Sequence, residues 1–162
     1  MGNKMNPTVY IETTIPSYLT AWRSSELQMA ANQQTTRAWW DNERKRYDLY
    51  VSQLVLTEIK NGDLDAAERR MQVLEGIQLL DINDAVRSLA ERLVAEHILP
   101  ETALDDALHI AVAAVHGLDY LLTWNCKHIA NAIMRPKIEQ TCRMAQYEPP
   151  VICTPLELMD GE

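Results

Sequence analysis

This sequence predicts an α/β fold: a three-layer α/β/α sandwich with a central, mainly parallel sheet of about five short strands. Three observations lead there. Five short runs are apolar at successive positions instead of alternating: Thr8-Val9-Tyr10-Ile11, Leu49-Tyr50-Val51, Gln78-Leu79-Leu80, Tyr120-Leu121-Leu122 and Val151-Ile152-Cys153. Continuous apolarity is what a strand buried on both faces requires. Helical patterns fill the intervals, and strands alternating with helices build a parallel sheet covered on both sides. The chain has 162 residues, 47% apolar and 23% charged, enough to bury a real core in one domain.

Taken in order, residues 1–7 are expected to be a loose N-terminal segment before the first strand. Ser25 is placed to cap a helix from about Glu26 to Arg46, carrying Leu27, Ala30, Ala31, Ala38 and Trp39. Shorter helices are predicted at 53–60 and 64–75. Asp81 or Asn83 can cap another over 84–97, with Val86, Leu89, Leu93 and Val94 on one face. The next runs from Thr102 to about His116. Pro136 suits the first turn of a last helix through Ala145. Residues 155–162 form a C-terminal tail, and 1–162 is read as a single domain.

Composition narrows the function. The net charge of −8 argues against a general polyanion binder, though not against a local basic strip. Basic residues cluster at Arg44-Lys45-Arg46, at Arg69-Arg70, and at Arg135, Lys137 and Arg143. The first cluster also suits a helix C-terminus. Cys126, Cys142 and Cys153 are too few and scattered for a disulfide framework or a CxxC metal site, and are read as structural thiols in a reducing compartment. No apolar stretch reaches the length of a membrane span, and Met1–Pro7 lacks a signal-peptide core. A soluble, intracellular protein is expected.

In open parallel sheets, ligands bind beyond the carboxyl ends of the strands. Glu12-Thr13-Thr14 follows the first strand, Thr57-Glu58 lies on the helix after the second, and Thr123-Trp124-Asn125 follows the fourth. Asp105-Asp106 opens the helix that feeds the fourth strand. From Ala103 to Val115 that helix is apolar on nearly every face, interrupted only by Asp105, Asp106 and His109. A buried carboxylate needs a partner or a metal. Thr102-x-x-Asp105 fits a capping box, which accounts for Asp105 locally, whereas Asp106 has no such explanation and is read as a metal-site residue. Glu58, opposite Leu54, Val55 and Ile59, reads on its own as a solvated residue, and Asn125 as a strand-ending turn former. Four segments can nonetheless bring oxygen ligands to one edge of one sheet.

With those residues on the page, the arrangement resembles a PIN domain, the nuclease fold of VapC-type toxins in toxin–antitoxin systems. Tyr10-Ile11-Glu12-Thr13-Thr14-Ile15-Pro16-Ser17 resembles the opening motif and Ser52-x-x-Val55-x-x-Glu58 the second. Asp106-Ala107-Leu108-His109-Ile110-Ala111 matches the third, the most specific, and Leu121-Leu122-Thr123-Trp124-Asn125 resembles the fourth. The resemblance implies a cytoplasmic, metal-dependent endoribonuclease with Glu12, Glu58, Asp106 and Asn125 as catalytic residues. It implies Mg²⁺ or Mn²⁺ held by Glu12, Glu58 and Asp106, with Asp105 and Asn125 as further candidate ligands. An RNA substrate, a small VapB-like antitoxin and a homodimer belong to the same implication. Hard oxygen ligands select such ions, and clustered carboxylates need a cation to neutralise them.

Two departures from the family pattern matter. Glu12 stands where Asp is usual, and neutral Asn125 where a second acid is usual. The loss of one charge is expected to weaken metal binding by about 1–2 kcal/mol. Thr13, Thr123 and His109 are candidates to hydrogen-bond the acids or a metal-bound water; strand-end propensity explains the threonines equally, and a satisfied core histidine is the plainer reading of His109. Lys127 and His128 are candidates to meet phosphate. Trp22 and Trp124 are candidate base-stacking residues, with packing the plainer reading of Trp124. Trp39 and Trp40 cannot both face one core, so one is expected at a dimer or antitoxin contact. The alternative reading is a catalytically weakened PIN-like module that binds RNA or a protein. A small-molecule phosphotransferase would want a DxD-type nucleophile where this chain has Glu12-Thr13-Thr14.

Overall fold

All of the predicted strands form, and every pairing between them is parallel. In the computed structural model, which describes residues 5–160, they are β1 (Thr8–Ile11), β2 (Asp48–Ser52), β3 (Gln78–Leu80), β4 (Tyr120–Leu122) and β5 (Val151–Cys153). Their order across the sheet is β3-β2-β1-β4-β5. The chain moves outward one way from β1 through β2 to β3, then returns to start β4 on the other side of β1. Strand order therefore reverses between β1 and β4, which defines the switch point where such sheets open a crevice. Ile11 stands beside Leu122 in that pair, so Glu12 and Thr123 emerge side by side.

Val9, Tyr10, Ile11, Leu121 and Leu122 have no exposed surface. Successive strand residues point to opposite faces, so helices must cover both sides of the sheet. They are α1 (Thr14–Thr20), α2 (Leu27–Asn42), α3 (Gln53–Glu58), α4 (Leu64–Leu74), α5 (Asp84–Ala95), α6 (Leu104–Val115) and α7 (Arg135–Met144). α1 packs with α2 and α4, while α5 packs with α6 and α7. None is long and apolar enough to cross a membrane.

Several local expectations are corrected. Glu26, not Ser25, caps α2: its carboxylate accepts from the Gln28 and Met29 amides at 3.1 and 2.7 Å. That helix stops at Asn42, and Arg44–Arg46 form a separate 3₁₀ turn. The Thr102 capping box does not form, because Thr102 lies in a 3₁₀ turn and Ala103 takes the cap position without a side-chain bond. Asn83 does cap α5, accepting from the Val86 amide. β3 lies at the sheet edge with Gln78 exposed and Leu79 51% exposed, so burial on both faces fails there. α1 was not predicted: at seven residues it is too short to show a period, and Pro16 sits in its first turn, where a missing N–H costs nothing.

Of the two tryptophans, Trp39 is fully buried, donating to the Leu158 carbonyl at 3.2 Å, and Trp40 is half-buried under the Arg44 guanidinium. The C-terminal tail thus packs on the core as far as Met159. Residues 5–7 are exposed; residues 1–4 of the expected loose segment, and 161–162 of the tail, lie outside the described residues. Cys142 and Cys153 are buried and Cys126 is exposed, all three as free thiols. Burial pushes the Cys142 thiol up to about 11 and that of Cys153 to about 12, so both are inert at neutral pH.

Candidate active site

The switch point gathers the side chains that the strand ends deliver. Glu12 leaves β1 almost completely buried, at 4% exposure. One of its oxygens, Oε1, accepts from the Thr14 amide at 3.1 Å, the Thr14 hydroxyl at 2.5 Å and the Thr123 hydroxyl at 2.7 Å. The same hydroxyls accept in turn: Thr14 Oγ1 from the Trp124 amide at 2.8 Å, and Thr123 Oγ1 from the Asn125 amide at 2.9 Å. Glu12 is thereby the pin that joins the loops after β1 and β4. Charge-assisted bonds of this kind are the reason a buried carboxylate is tolerated.

Glu58 ends α3 beside this pin. The Thr13 hydroxyl donates to its Oε1 at 2.5 Å, and His109 Nε2 lies 2.6 Å from the same oxygen. Behind it, the His109 Nδ1 is 2.7 Å from the Tyr10 hydroxyl, which is 2.8 Å from Ser52 Oγ. Tyr10, Ser52 and His109 have no exposed surface, so a continuous buried wire runs from β2 through β1 and α6 to the Glu58 carboxylate. Burial opposes ionisation of Glu58, but the His109 and Thr13 hydrogen bonds, with the charge on His109, hold its carboxyl below the usual range. Burial likewise opposes charge on His109. The bond to Glu58 and the fields of Glu12, Glu58 and Asp106 outweigh it and raise the imidazole above its ordinary value. Tyr10 is pushed up by burial, and more weakly by the charges of Glu12 and Glu58, against the opposing Ser52 bond.

Asp106 sits in the first turn of α6, where the helix dipole favours negative charge. Its Oδ1 accepts from Asn125 Nδ2 at 3.0 Å and its Oδ2 lies 2.8 Å from His128 Nδ1. Asn125 Oδ1 accepts from the His128 amide at 3.1 Å. Asn125 therefore links Asp106 to the Thr123–Glu12 pin. Trp124 packs, stacked on Tyr18 with its indole N–H donating to Thr36 Oγ1 at 2.7 Å.

The expected residues divide clearly. Glu12, Thr123, Asn125 and Asp106 fall on one hydrogen-bonded network, and Glu58, Thr13 and His109 on a second beside it, the two meeting where Thr13 follows Glu12 in the chain. Asp105 is exposed and makes none of these bonds. Glu58 is not the solvated residue that its helix pattern suggested. Tyr10, Ser52 as a bonded partner, and Thr14 were missed; a tyrosine inside a two-face-buried strand must satisfy its hydroxyl, and that signal was present in the sequence. A hollow of about 540 Å³ between Arg44, Lys45, Tyr50 and Gln78 carries none of these site acids.

Carboxylate and amide oxygens are the right donors for a hard divalent cation, and three acids act electrostatically on one imidazole. Among the described residues, however, no three acidic, His or Cys side chains close on one point. Hydroxyls serve Glu12, and imidazoles serve Glu58 and Asp106, in the role a cation would fill. The donor set fits such an ion in kind, with its carboxylates engaged by protein donors.

A parallel sheet with this order, carrying acids at its switch point, defines an open α/β protein with its site at the strand ends. The PIN domain family model matches residues 9–125, so the chain belongs to the PIN domain family, whose members are nucleases that generally use divalent metal ions. Among curated proteins none matches the sequence. Of solved structures, VapC20 of Mycobacterium tuberculosis, a sarcin–ricin-loop-cleaving toxin, is similar with a TM-score of 0.58 and 14% identity, over 75% of this chain and 92% of that one. FitAB bound to a DNA fragment gives 0.57 and 15%, over 96% and 100%. VapBC2 of Rickettsia felis, bound to promoter DNA, gives 0.51 and 13%, over 91% and 98%. At these identities the likeness is one of fold.

Proposed function

We propose that this protein is a divalent-metal-dependent endoribonuclease, the toxin of a VapBC-type pair, restrained by a small antitoxin and working as a cytoplasmic homodimer. One observation carries the catalytic reading: Glu12, Glu58 and Asp106, from three distant segments, all act electrostatically on the one buried His109 imidazole, and Glu12 and Asp106 are joined through Thr123 and Asn125. The solved neighbours, which include toxin–antitoxin complexes, support the toxin assignment.

Glu12, Glu58 and Asp106 would hold Mg²⁺ or Mn²⁺, with Asn125 as a neutral fourth group. The ion supplies Lewis-acid activation of water and neutralises charge at the phosphate. Water attacks phosphorus, the bond from phosphorus to the 3′ oxygen breaks, and the departing hydroxyl takes up a proton, leaving a 5′-phosphate. The chain's own residues preset this geometry. Thr14 and Thr123 fix Glu12, and Thr13 and His109 fix Glu58, so those two carboxylates need little reorganisation when substrate arrives, while Asn125 orients Asp106 and leaves its His128 contact exchangeable.

The test is cleavage of an unstructured RNA with and without Mn²⁺. Activity is expected in the wild type, lost in EDTA, and reduced by at least about 100-fold in Asp106→Asn, since even outer partners of metal ligands cost 10–100-fold. A second reading has a specific observation behind it: Asp106 has both oxygens engaged by protein donors, as in a weakened module that grips RNA or a protein. Wild-type RNA binding without any Mn²⁺-dependent cleavage, and no thermal shift at millimolar Mn²⁺, would establish that reading instead.

A further inference from the structure

The segment just beyond α1 holds a large aromatic side chain in solvent and pins it there. Trp22 is 83% exposed. Single exposed apolar residues are ordinary, but this one is fastened on both sides. Gln33, only 3% exposed, donates through Nε2 to the Trp22 carbonyl at 3.3 Å and accepts from the Ser24 amide at 3.0 Å. Arg37 donates to the Ala21 carbonyl at 3.1 Å. From α4, the Arg69 guanidinium lies over the indole, 5.5 Å from its centroid. α2 thus fixes the backbone on either side of Trp22, and α4 sets a guanidinium over an indole that covers no core.

The arginines around it differ from those on α5 and α7. Arg87, Arg92 and Arg143, on α5 and α7, all pair with carboxylates. Arg23, Arg37 and Arg69 form no ion pair among the described residues, and Arg69 Nε is buried without a hydrogen-bond partner there. The nearby acids Glu26 and Asp63 use their oxygens to cap α2 and α4. Three guanidinium groups without an ion pair among the described residues thus belong to the elements around an exposed π-face. α1 spans about 10 Å for its seven residues. Its first turn holds Thr14, bonded to Glu12, so Trp22 stands within a few nucleotides of the site.

We propose that Trp22, backed by Arg69 and flanked by Arg23 and Arg37, is a stacking platform for an unpaired base of the RNA, whose phosphates meet those guanidinium groups. Aromatic stacking supplies affinity that tolerates sequence, and arginines supply the salt-dependent part. An apolar protein segment would satisfy the indole but leave the unpaired guanidinium groups without counter-charge, which is why RNA is the occupant. This assignment rests on the ribonuclease reading above.

The experiment is anisotropy of a fluorescein-labelled oligouridylate, in EDTA, over a series of salt concentrations, with metal-dependent cleavage measured in parallel. Trp22→Ala is expected to weaken binding roughly tenfold or more with an unchanged melting temperature, and Trp22→Tyr to restore most of it. Arg69→Gln is expected to lower the slope of log affinity against log salt by about one phosphate contact. If the wild type binds and cleaves RNA but Trp22→Ala binds as tightly, the platform is refuted while the ribonuclease stands. If the wild type neither binds nor cleaves, both readings fall. If Trp22→Ala keeps its RNA affinity but loses a co-expressed antitoxin, the surface belongs to a protein partner and the RNA assignment is overturned.

Discussion

Two carboxylate–histidine pairs flank the switch point, and they differ in depth. The Glu58–His109 pair is 2.6 Å apart, its imidazole side chain only 1% exposed and its carboxylate side chain 26%, so the depth differs at the histidine. The Asp106–His128 pair is 2.8 Å apart with side chains 22% and 20% exposed. The first is built into the core: His109 belongs to the buried face of α6 and is backed by Tyr10 and Ser52. The second bridges a helix start and the loop after β4, and water can replace either partner. Burial converts the same contact from an exchangeable one into a fixed one, because an unpaired buried charge costs far more than an unpaired exposed one. One half of the site is therefore preset, and the other can open to a ligand.

That contrast can be broken most directly at its buried end. His109→Ala should destabilise the fold by about 2–4 kcal/mol, from the cavity and from Glu58 and Tyr10 left without their partner; denaturant unfolding measures it. A loss below about 1 kcal/mol would show that the pair is not the fixed element.

The pH profile of the metal-free protein probes the same pair. The Glu58 pKa is lowered on folding, so its contribution is present above its unfolded value of 4.5 and is lost as pH falls through the folded value. The His109 pKa is raised, so its contribution is complete below the unfolded 6.5 and is lost as pH rises through the folded value. The pair should support stability most between those two unfolded values. Thermal unfolding across pH should show that plateau in the wild type and a flatter curve in Glu58→Gln; identical curves would contradict it.

Tyr10→Phe removes one hydroxyl from the wire and should cost about 1–2 kcal/mol, as Ser52 and His109 each lose a buried partner. The expected check is a lower urea midpoint with an unchanged slope. The smallest effect belongs to the exposed pair: His128→Ala should change stability by no more than about 1 kcal/mol. A loss as large as that of His109→Ala would erase the distinction between the two halves.

Much of this was legible because strong local signals agree with the fold. Val9, Ile11, Leu121 and Leu122 announced strands buried on both faces, and the apolar α6 made Asp106 conspicuous. β3 misled because an edge strand shares the composition of a central one while one side lacks a neighbour. Glu58 misled because its own helix shows only the periodicity of a surface residue; its partners, Thr13 and His109, come from elements 45 and 51 residues away in sequence. Asp105 drew attention as an interruption of an apolar helix, and the capping box expected to account for it did not form because Thr102 lies in a 3₁₀ turn.

From its residues alone the chain determines that it is an α/β protein, where its strands lie, and that acids follow them. Those properties depend on runs of neighbouring side chains whose periodicity is local. Only the tertiary structure decided that β4 returns to the far side of β1, that Glu12 is held by Thr14 and Thr123, and that one histidine is sealed while the other is open. Each of these depends on which distant segments share a boundary, and the cost of burying charge is set by that shared boundary, not by spacing along the chain.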